Sequence, residues 1–178
     1  MKTLGIELNL TNQCNFNCSY CYEKQEKYCD LDEWSEKDFT NTIYEILSNT
    51  IDNSAFYENG YDNVAFTLWG GEPTIKMNLI KLLNDIIINL PNVKFSIITN
   101  GSNIDDLIEI AKQNYQNNKD IHIQVSYDGN PIHDLNRVNF AKNATSKIVI
   151  ESMFKLYKNN IKFQVKSTIP HENIDNIF

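Results

Sequence analysis

Three cysteines lie close together near the start of the chain. Cys14, Cys18 and Cys21 follow the spacing C-x3-C-x2-C, with Tyr20 directly before the third, and Cys29 follows eight residues later. Thiolates bind soft metals, chiefly zinc and the irons of iron–sulfur clusters. A structural zinc site usually takes its ligands as two separated pairs, and this sequence has no second pair. Three thiolates on a 4Fe–4S cluster would instead leave one iron open to bind a small molecule.

Two other interpretations of the cysteines stay open. Cys29 could supply the fourth ligand of a zinc ion, or the cysteines could be unligated thiols in a loop. Cysteine is usually buried and rarely clusters without a cause, so unligated thiols are a weaker interpretation than metal ligands. Because one cysteine cannot hold a second cluster, the cluster hypothesis predicts that Cys29 is a free thiol.

The composition limits the classes of protein to which the chain can belong. Its 178 residues are enough for one domain with a sizeable core. Its net charge of -7 argues against nonspecific binding to nucleic acid or anionic lipid. No apolar run approaches the length of a membrane span, and Glu7 interrupts the segment where a signal peptide would need continuity. We therefore expect a cytoplasmic protein, in which clustered cysteines indicate a metal or catalysis rather than disulfides.

Strand and helix patterns alternate along the chain. Alternating apolar residues predict a first strand from Leu4 to Leu10. Further strands are predicted at 64–69, at 93–99, within 121–129 and its turn, and within 161–170. Helices are predicted after a Ser35 cap, over 77–90, after an Asn103 cap, over 146–158 and after Pro170. Five such units predict a parallel sheet whose strands are joined by helical crossovers.

The unusual residues all follow predicted strands. In parallel α/β folds the loops after the strands share one end of the sheet, and that end carries the site. The segments that meet there are the cysteine loop, Gly70-Gly71-Glu72-Pro73, Thr99-Asn100-Gly101 and Ser126-Tyr127-Asp128-Gly129. This convergence is stronger evidence for a site than any of the motifs alone.

The cysteine spacing, with an aromatic residue before the third cysteine, resembles that of the radical S-adenosylmethionine (SAM) enzymes. The preceding LNLTNQCN also fits the first strand of that family. The resemblance implies that Cys14, Cys18 and Cys21 hold a 4Fe–4S cluster whose open iron is chelated by SAM. It also implies that the reduced cluster cleaves SAM to methionine and a 5′-deoxyadenosyl radical, which takes a hydrogen atom from the substrate.

Two further segments resemble the same family. GGEP matches its element after the second strand, and SYDGNPIHDLNR is similar to a segment of the SPASM-type peptide maturases, which include the anaerobic sulfatase-maturating enzymes. By this resemblance Glu72 offers its carboxylate or the adjacent backbone to the SAM ammonium, and Gly70 and Gly71 let the backbone approach the ligand. Ser126 would contact the ribose, and Arg137 would pair its planar fork with the SAM carboxylate.

Other residues of these segments have two interpretations each. Tyr20 lies near the adenine or is a packed aromatic, and Asn100 binds SAM or makes the Asn-Gly turn. Ser126 could also only cap a turn, and Arg137 could lie on the surface. His133 and Asp134 are expected to brace their loop rather than to catalyse.

The resemblance implies a partial TIM-like (β/α) barrel of about five to six units with parallel strands. We expect residues 1–178 to be the radical SAM core domain, without the last βα unit and without a cysteine-rich C-terminal domain for auxiliary clusters. The last strand would then pair with another copy, a partner chain or a continuation, because open sheet edges are usually covered. In the final segment HENIDNIF, a helix would dock beside this strand.

The implied function is modification of a peptide or protein side chain by a radical SAM enzyme. An electron donor such as flavodoxin or ferredoxin would reduce the cluster, and neither nucleic acid nor a membrane is expected as a partner. The alternative from another class is a noncatalytic protein that binds SAM, the cluster or a partner without turnover. A zinc-binding protein is the third hypothesis.

Overall fold

The computed structural model of the chain describes residues 2–24, 33–50, 61–168 and 170–171. They form one five-stranded sheet in which every neighbouring pair is parallel and the strands lie in chain order. The strands are β1 (Thr3–Asn9), β2 (Asn63–Trp69), β3 (Val93–Thr99), β4 (His122–Ser126) and β5 (Phe163–Lys166). This confirms the predicted α/β fold of a partial barrel with parallel strands.

In the described residues, five α-helices connect the strands or flank their connections. They are α1 (Glu36–Thr50), α2 (Met77–Ile87), α3 (Asp105–Gln116), the short α4 (Ile132–Asn136) and α5 (Ser146–Lys158), and single 3-10 turns occupy Tyr22–Lys24 and Pro73–Lys76. The predicted cap of α1 is confirmed, because the Ser35 hydroxyl oxygen accepts a hydrogen bond from the Asp38 N–H at 3.1 Å.

Three details of the helices differ from the prediction. The cap position of α3 is Ile104, with no side-chain cap, so the predicted Asn103 cap is wrong. Ile104 takes this position because its side chain is buried in the core. Helix α2 ends at Ile87, before the predicted Leu90. The Lys119 ammonium donates hydrogen bonds to the backbone carbonyls of Ile87 and Leu90. Helix α4 lies between β4 and α5, where the sequence pattern predicts no helix.

The core lies between the sheet and the helices. Val64, Phe66 and Leu68 alternate along β2 and are fully buried in the hydrophobic core, which also includes apolar residues of α2 and α3. The side chains between them point to the opposite face of the sheet, as strand geometry requires. On that face Thr67 and Trp69 line a cavity instead of the core. One face of the sheet therefore packs in the hydrophobic core, and the other face lines the cavity.

The sheet does not close into a complete barrel within the described residues. β1 pairs with β2 and β5 pairs with β4, and no ladder joins β1 to β5 in this part of the chain. Val165 on β5 is 44% exposed. A partner for this edge stays a prediction, and the expected helix over 172–178 lies outside the described residues. In those described, no helix combines the length and the apolar character that a bilayer crossing needs.

Candidate functional site

The carboxyl ends of the strands surround one cavity of about 420 Å³. All ten residues that the sequence assigned to the site line it. They are Cys14, Cys18, Tyr20, Cys21, Gly70, Gly71, Glu72, Asn100, Ser126 and Arg137. These residues come from four different loops, so the fold brings together groups that are far apart in the sequence.

The three cysteine side chains are partly buried along this cavity. Burial raises the pKa of the Cys14 thiol to about 11, and the nearby Glu72 carboxylate and the other two thiols act in the same direction. The Phe16 N–H, which donates to the Cys14 sulfur at 3.4 Å, opposes this shift. Thiolates are the metal-binding form of cysteine, so this donor set needs a bound cation to hold Cys14 deprotonated at neutral pH.

The three thiols are the ligand type that an iron–sulfur cluster uses. Each cysteine of a 4Fe–4S cluster binds a different iron, so the thiols need to surround a volume rather than to meet at a point. Among the described residues, no three His, Cys, Asp or Glu side chains converge on a site for a single metal ion. Cys29, on which the zinc hypothesis depends, lies outside the described residues.

The turn after β2 binds the start of the cysteine loop through its backbone. The Gly71 N–H donates to the Thr11 carbonyl at 2.7 Å, and the Glu72 N–H donates to the Gln13 carbonyl at 2.8 Å. A Cβ atom on Gly70 would lie 2.3 Å from the Thr11 oxygen, and one on Gly71 would lie 2.3 Å from the Gln13 oxygen. The two glycines thus pack against the backbone at the start of the cysteine loop, a contact that the sequence did not indicate.

The Glu72 carboxylate is buried and accepts four hydrogen bonds from the protein. One oxygen accepts from the Thr74 N–H, the Thr74 hydroxyl and the Thr99 hydroxyl, and the other accepts from the Asn100 N–H at 2.6 Å. Burial raises the pKa of this carboxyl, and the four hydrogen bonds act against that shift. Since its carboxylate is already bound, the backbone of the Gly70–Glu72 turn is the part that can meet a ligand.

The Asn100 side chain makes the turn after β3 and also contacts the cysteine loop. Its carbonyl oxygen accepts from the Ser102 N–H at 2.9 Å. Its amide donates to the Asn15 side-chain oxygen at 2.8 Å and approaches the Cys14 sulfur at 3.9 Å. Of the two interpretations in the sequence, the turn is therefore observed, and a contact with the cysteine loop is added to it.

Arg137 and Tyr20 meet at the opposite wall of the cavity. The guanidinium carbon of Arg137 lies 5.3 Å from the centre of the Tyr20 ring, within range of a cation–π contact. Both side chains also bind the buried Asp128 carboxylate. Arg137 is therefore not a surface residue, since its side chain is only 10% exposed. Sequence reasoning gave Asp128 no role of its own; the signal for it was its position two residues after the end of β4, in a segment predicted to lie at the site.

Hydrogen bonds to the start of α5 hold the segment between Ser126 and α5 in place. Ser126 ends β4 opposite Lys166 of β5. The His133 ring lies 3.0 Å from the Thr145 hydroxyl, and Asp134 accepts from the backbone N–H groups of Thr145 and Ser146. These contacts fit the expected bracing roles of His133 and Asp134, because they fasten the loop that carries Arg137 to the start of α5.

Residues 8–177 of the chain match the family model described as the radical SAM superfamily. The chain belongs to the radical SAM superfamily. The cofactors of this superfamily are a 4Fe–4S cluster and SAM, in agreement with the sequence prediction. The partly buried thiols and the polar groups that line the cavity beside them are suitable ligands for these cofactors.

Two curated relatives and one solved structure show the range of similar proteins. An uncharacterized protein of Methanocaldococcus jannaschii is 29% identical over 172 residues, which is 94% of this chain and 53% of the relative. GTP 3′,8-cyclase of Clostridium perfringens is 24% identical over 165 residues, covering 92% of this chain and 46% of the cyclase. The structure of anSMEcpe with bound AdoMet and the Cp18Cys peptide has a TM-score of 0.72 at 20% identity.

The match to anSMEcpe covers 99% of this chain and 46% of that one, and at this identity it shows a shared fold. The chain spans about half the length of these curated relatives. Activity and substrate therefore have to be argued from the site.

The glycine contacts predict a specific effect of Gly71→Ala. The new methyl group would collide with the Gln13 carbonyl, displace the start of the cysteine loop and cost about 1–3 kcal/mol of unfolding free energy, measured in urea. Gly5→Ala is the matched control, because a Cβ there meets no atom within 4 Å. Equal stability of the two variants would contradict the proposed packing role.

The hydrogen bonds of Glu72 predict that its charge matters for stability. In Glu72→Gln an N–H donor replaces one acceptor and faces the donors of Thr74, Thr99 or Asn100, which should cost about 1–3 kcal/mol in chemical unfolding. Glu36→Gln, at an exposed carboxylate, should change stability by less than about 0.5 kcal/mol. A fully tolerated Glu72→Gln would show that this carboxyl is protonated in the folded protein.

Proposed function

We propose that this chain is the radical SAM portion of an enzyme that modifies a side chain of a peptide or protein. The observation that carries the proposal is the single cavity lined by the three cysteines and by all the residues assigned to SAM. When bound, the 4Fe–4S cluster and SAM supply a 5′-deoxyadenosyl radical that can take a hydrogen atom from a substrate. The roles below belong to this chain's own residues.

Each wall of the cavity has a separate binding task in this proposal. Cys14, Cys18 and Cys21 hold three irons of the cluster. The backbone of the Gly70–Glu72 turn accepts hydrogen bonds from the SAM ammonium, because the Glu72 carboxylate is occupied. On the opposite wall Arg137 binds the SAM carboxylate, and Ser126 and Tyr20 contact the ribose and the adenine. Phe16 and Trp69 help to exclude water, which protects a reactive intermediate.

The charges around the cavity favour a peptide over a nucleotide triphosphate. Among the described lining residues, the basic side chains are Arg137 and Lys166, and Arg137 is already paired with Asp128. The lining carboxylates are Glu7, Glu23 and Glu72. A triphosphate would gain little from this balance, because phosphate sites use several cations or backbone donors. The GTP 3′,8-cyclase relative supplies the competing hypothesis.

A buried indole points to the same kind of substrate. The Nε1 of Trp69 is buried, lines the interior face of the sheet and has no hydrogen-bond partner among the described residues. A buried donor without a partner is costly, so a bound acceptor would stabilise the site. The carbonyl oxygen of a peptide provides such an acceptor without adding negative charge to the cavity.

The remaining features of the proposal concern the surroundings of the enzyme. We include an electron donor such as flavodoxin or ferredoxin, a cytoplasmic location, and a core domain over residues 1–178 whose open edge is covered by another chain or segment. The alternative is a noncatalytic protein that binds SAM without turnover. Formation of 5′-deoxyadenosine separates these two functions, since only the enzyme releases it.

The cluster assignment predicts a clear difference among the four cysteines. After anaerobic reconstitution, the wild-type chain should bind about four irons and release 5′-deoxyadenosine with SAM and a reductant. Alanine at Cys14, Cys18 or Cys21 should abolish both, whereas Cys29→Ala should retain both. Tightly bound zinc with a requirement for Cys29 would overturn the assignment.

The peptide hypothesis predicts a selective effect of Trp69→Phe. Removing the Nε1 donor should lower 5′-deoxyadenosine formation stimulated by a random peptide pool about two- to tenfold, the range for one neutral hydrogen bond. Formation without peptide should not change. Trp34→Phe is the control, because the Trp34 donor already binds the Asn9 carbonyl at 2.9 Å. Stimulation by GTP and not by peptides would refute this substrate class.

A further inference from the structure

Asp128 lies where three distant segments of the chain meet. Its carboxylate accepts hydrogen bonds from the Tyr20 hydroxyl in the cysteine loop, from Arg137 after α4, and from the Thr168 N–H after β5 at 2.8 Å. The side chain of Asp128 has no exposed surface. One fully buried carboxylate therefore joins the proposed cluster loop, the proposed SAM-carboxylate ligand and the last described strand.

The geometry of the ion pair leaves Arg137 able to bind a second anion. Its Nε lies 2.8 Å from one Asp128 oxygen and its Nη2 lies 3.2 Å from the other, so the contact is bidentate. A guanidinium has five N–H donors. Two are used by Asp128 and three remain. The pairing fixes the plane of the guanidinium, and with it the direction in which the remaining donors point.

Tyr20 is held by the same carboxylate as Arg137. Its hydroxyl donates to the Asp128 oxygen that also accepts from Arg137 Nε. The Tyr20 ring lies beside the guanidinium at 5.3 Å. Because Tyr20 comes between Cys18 and Cys21, its hydrogen bond to Asp128 links this part of the cysteine loop to Arg137.

We propose that Asp128 is a positioning residue that couples the cysteine loop to SAM binding by orienting Arg137 and Tyr20 before SAM arrives. The inference rests on the proposed function. Ordering a long, charged side chain during binding weakens affinity, and ordering it beforehand removes that cost. A residue that only supported the fold would change stability without this coupling.

The test uses SAM binding to the anaerobically reconstituted full chain, measured by calorimetry with the iron content determined in parallel. Asp128→Asn keeps the shape of the side chain but removes its charge and one acceptor. The dissociation constant for SAM should rise roughly tenfold or more, which corresponds to the loss of a hydrogen bond to a charged group. The iron content should stay at the wild-type level.

Two comparisons separate positioning from simple support. If Asp128 acts through Arg137, the double variant Asp128→Asn/Arg137→Ala should bind SAM no more weakly than Arg137→Ala alone. Asp134→Asn is the matched control, because Asp134 braces the same loop through Thr145 and Ser146 without bonding to Arg137. It should lower the melting temperature and leave the SAM dissociation constant unchanged.

Additive effects in the double variant, or wild-type affinity in Asp128→Asn, would overturn the inference while leaving the proposed function intact. Failure of the wild-type chain to bind SAM would overturn both. If Asp128→Asn does not fold, Tyr20→Phe provides the second measurement, because it removes a single donor to Asp128. It should weaken SAM binding in the same direction, by less than Arg137→Ala does, and an unchanged affinity would again contradict the inference.

Discussion

The site depends on the backbone contact between the turn after β2 and the first residues of the cysteine loop. Two short hydrogen bonds, from Gly71 to Thr11 and from Glu72 to Gln13, hold the chain where β1 ends. There is no room for a side chain on either glycine. This contact determines where Cys14 lies relative to β2 and β3, and Asn100 then contacts both Cys14 and Asn15 from the next loop. Without this contact, the position of the cysteines relative to the strands would not be fixed.

The polar groups of the site are arranged in two separate networks. Glu72 organises one wall through Thr74, Thr99 and Asn100, and Asp128 organises the opposite wall through Tyr20 and Arg137. A buried carboxylate is tolerated only when its hydrogen bonds are satisfied, and both meet this condition. The cavity between the two networks is lined by backbone groups, by the thiols and by Arg137. Of the two basic side chains among the described lining residues, Arg137 is paired with Asp128, and Lys166 is the other.

Much of the fold and the site could be predicted because it depends on local patterns. Apolar segments indicated all five strands, and the positions of unusual residues after those strands indicated which groups would share a cavity. The predictions that failed or were missing depend on contacts between distant segments. Asn103 has the chemistry of a cap, but burial of Ile104 decides where α3 begins. The role of Asp128 depends on partners 108 and 40 residues away, which no local pattern contains.

The same long separations have a consequence for how the site is assembled during synthesis. A sheet whose parallel strands lie in chain order can grow by adding one βα unit at a time, each packed on the one before. The cysteines leave the ribosome early, but Asp128 follows Tyr20 by 108 residues and Thr168 comes later still. The wall that faces the cysteines is therefore completed only when β5 has joined the sheet. The nascent protein therefore carries the cysteine loop without its hydrogen bond to Asp128 until β4 and the turn after it have been synthesised.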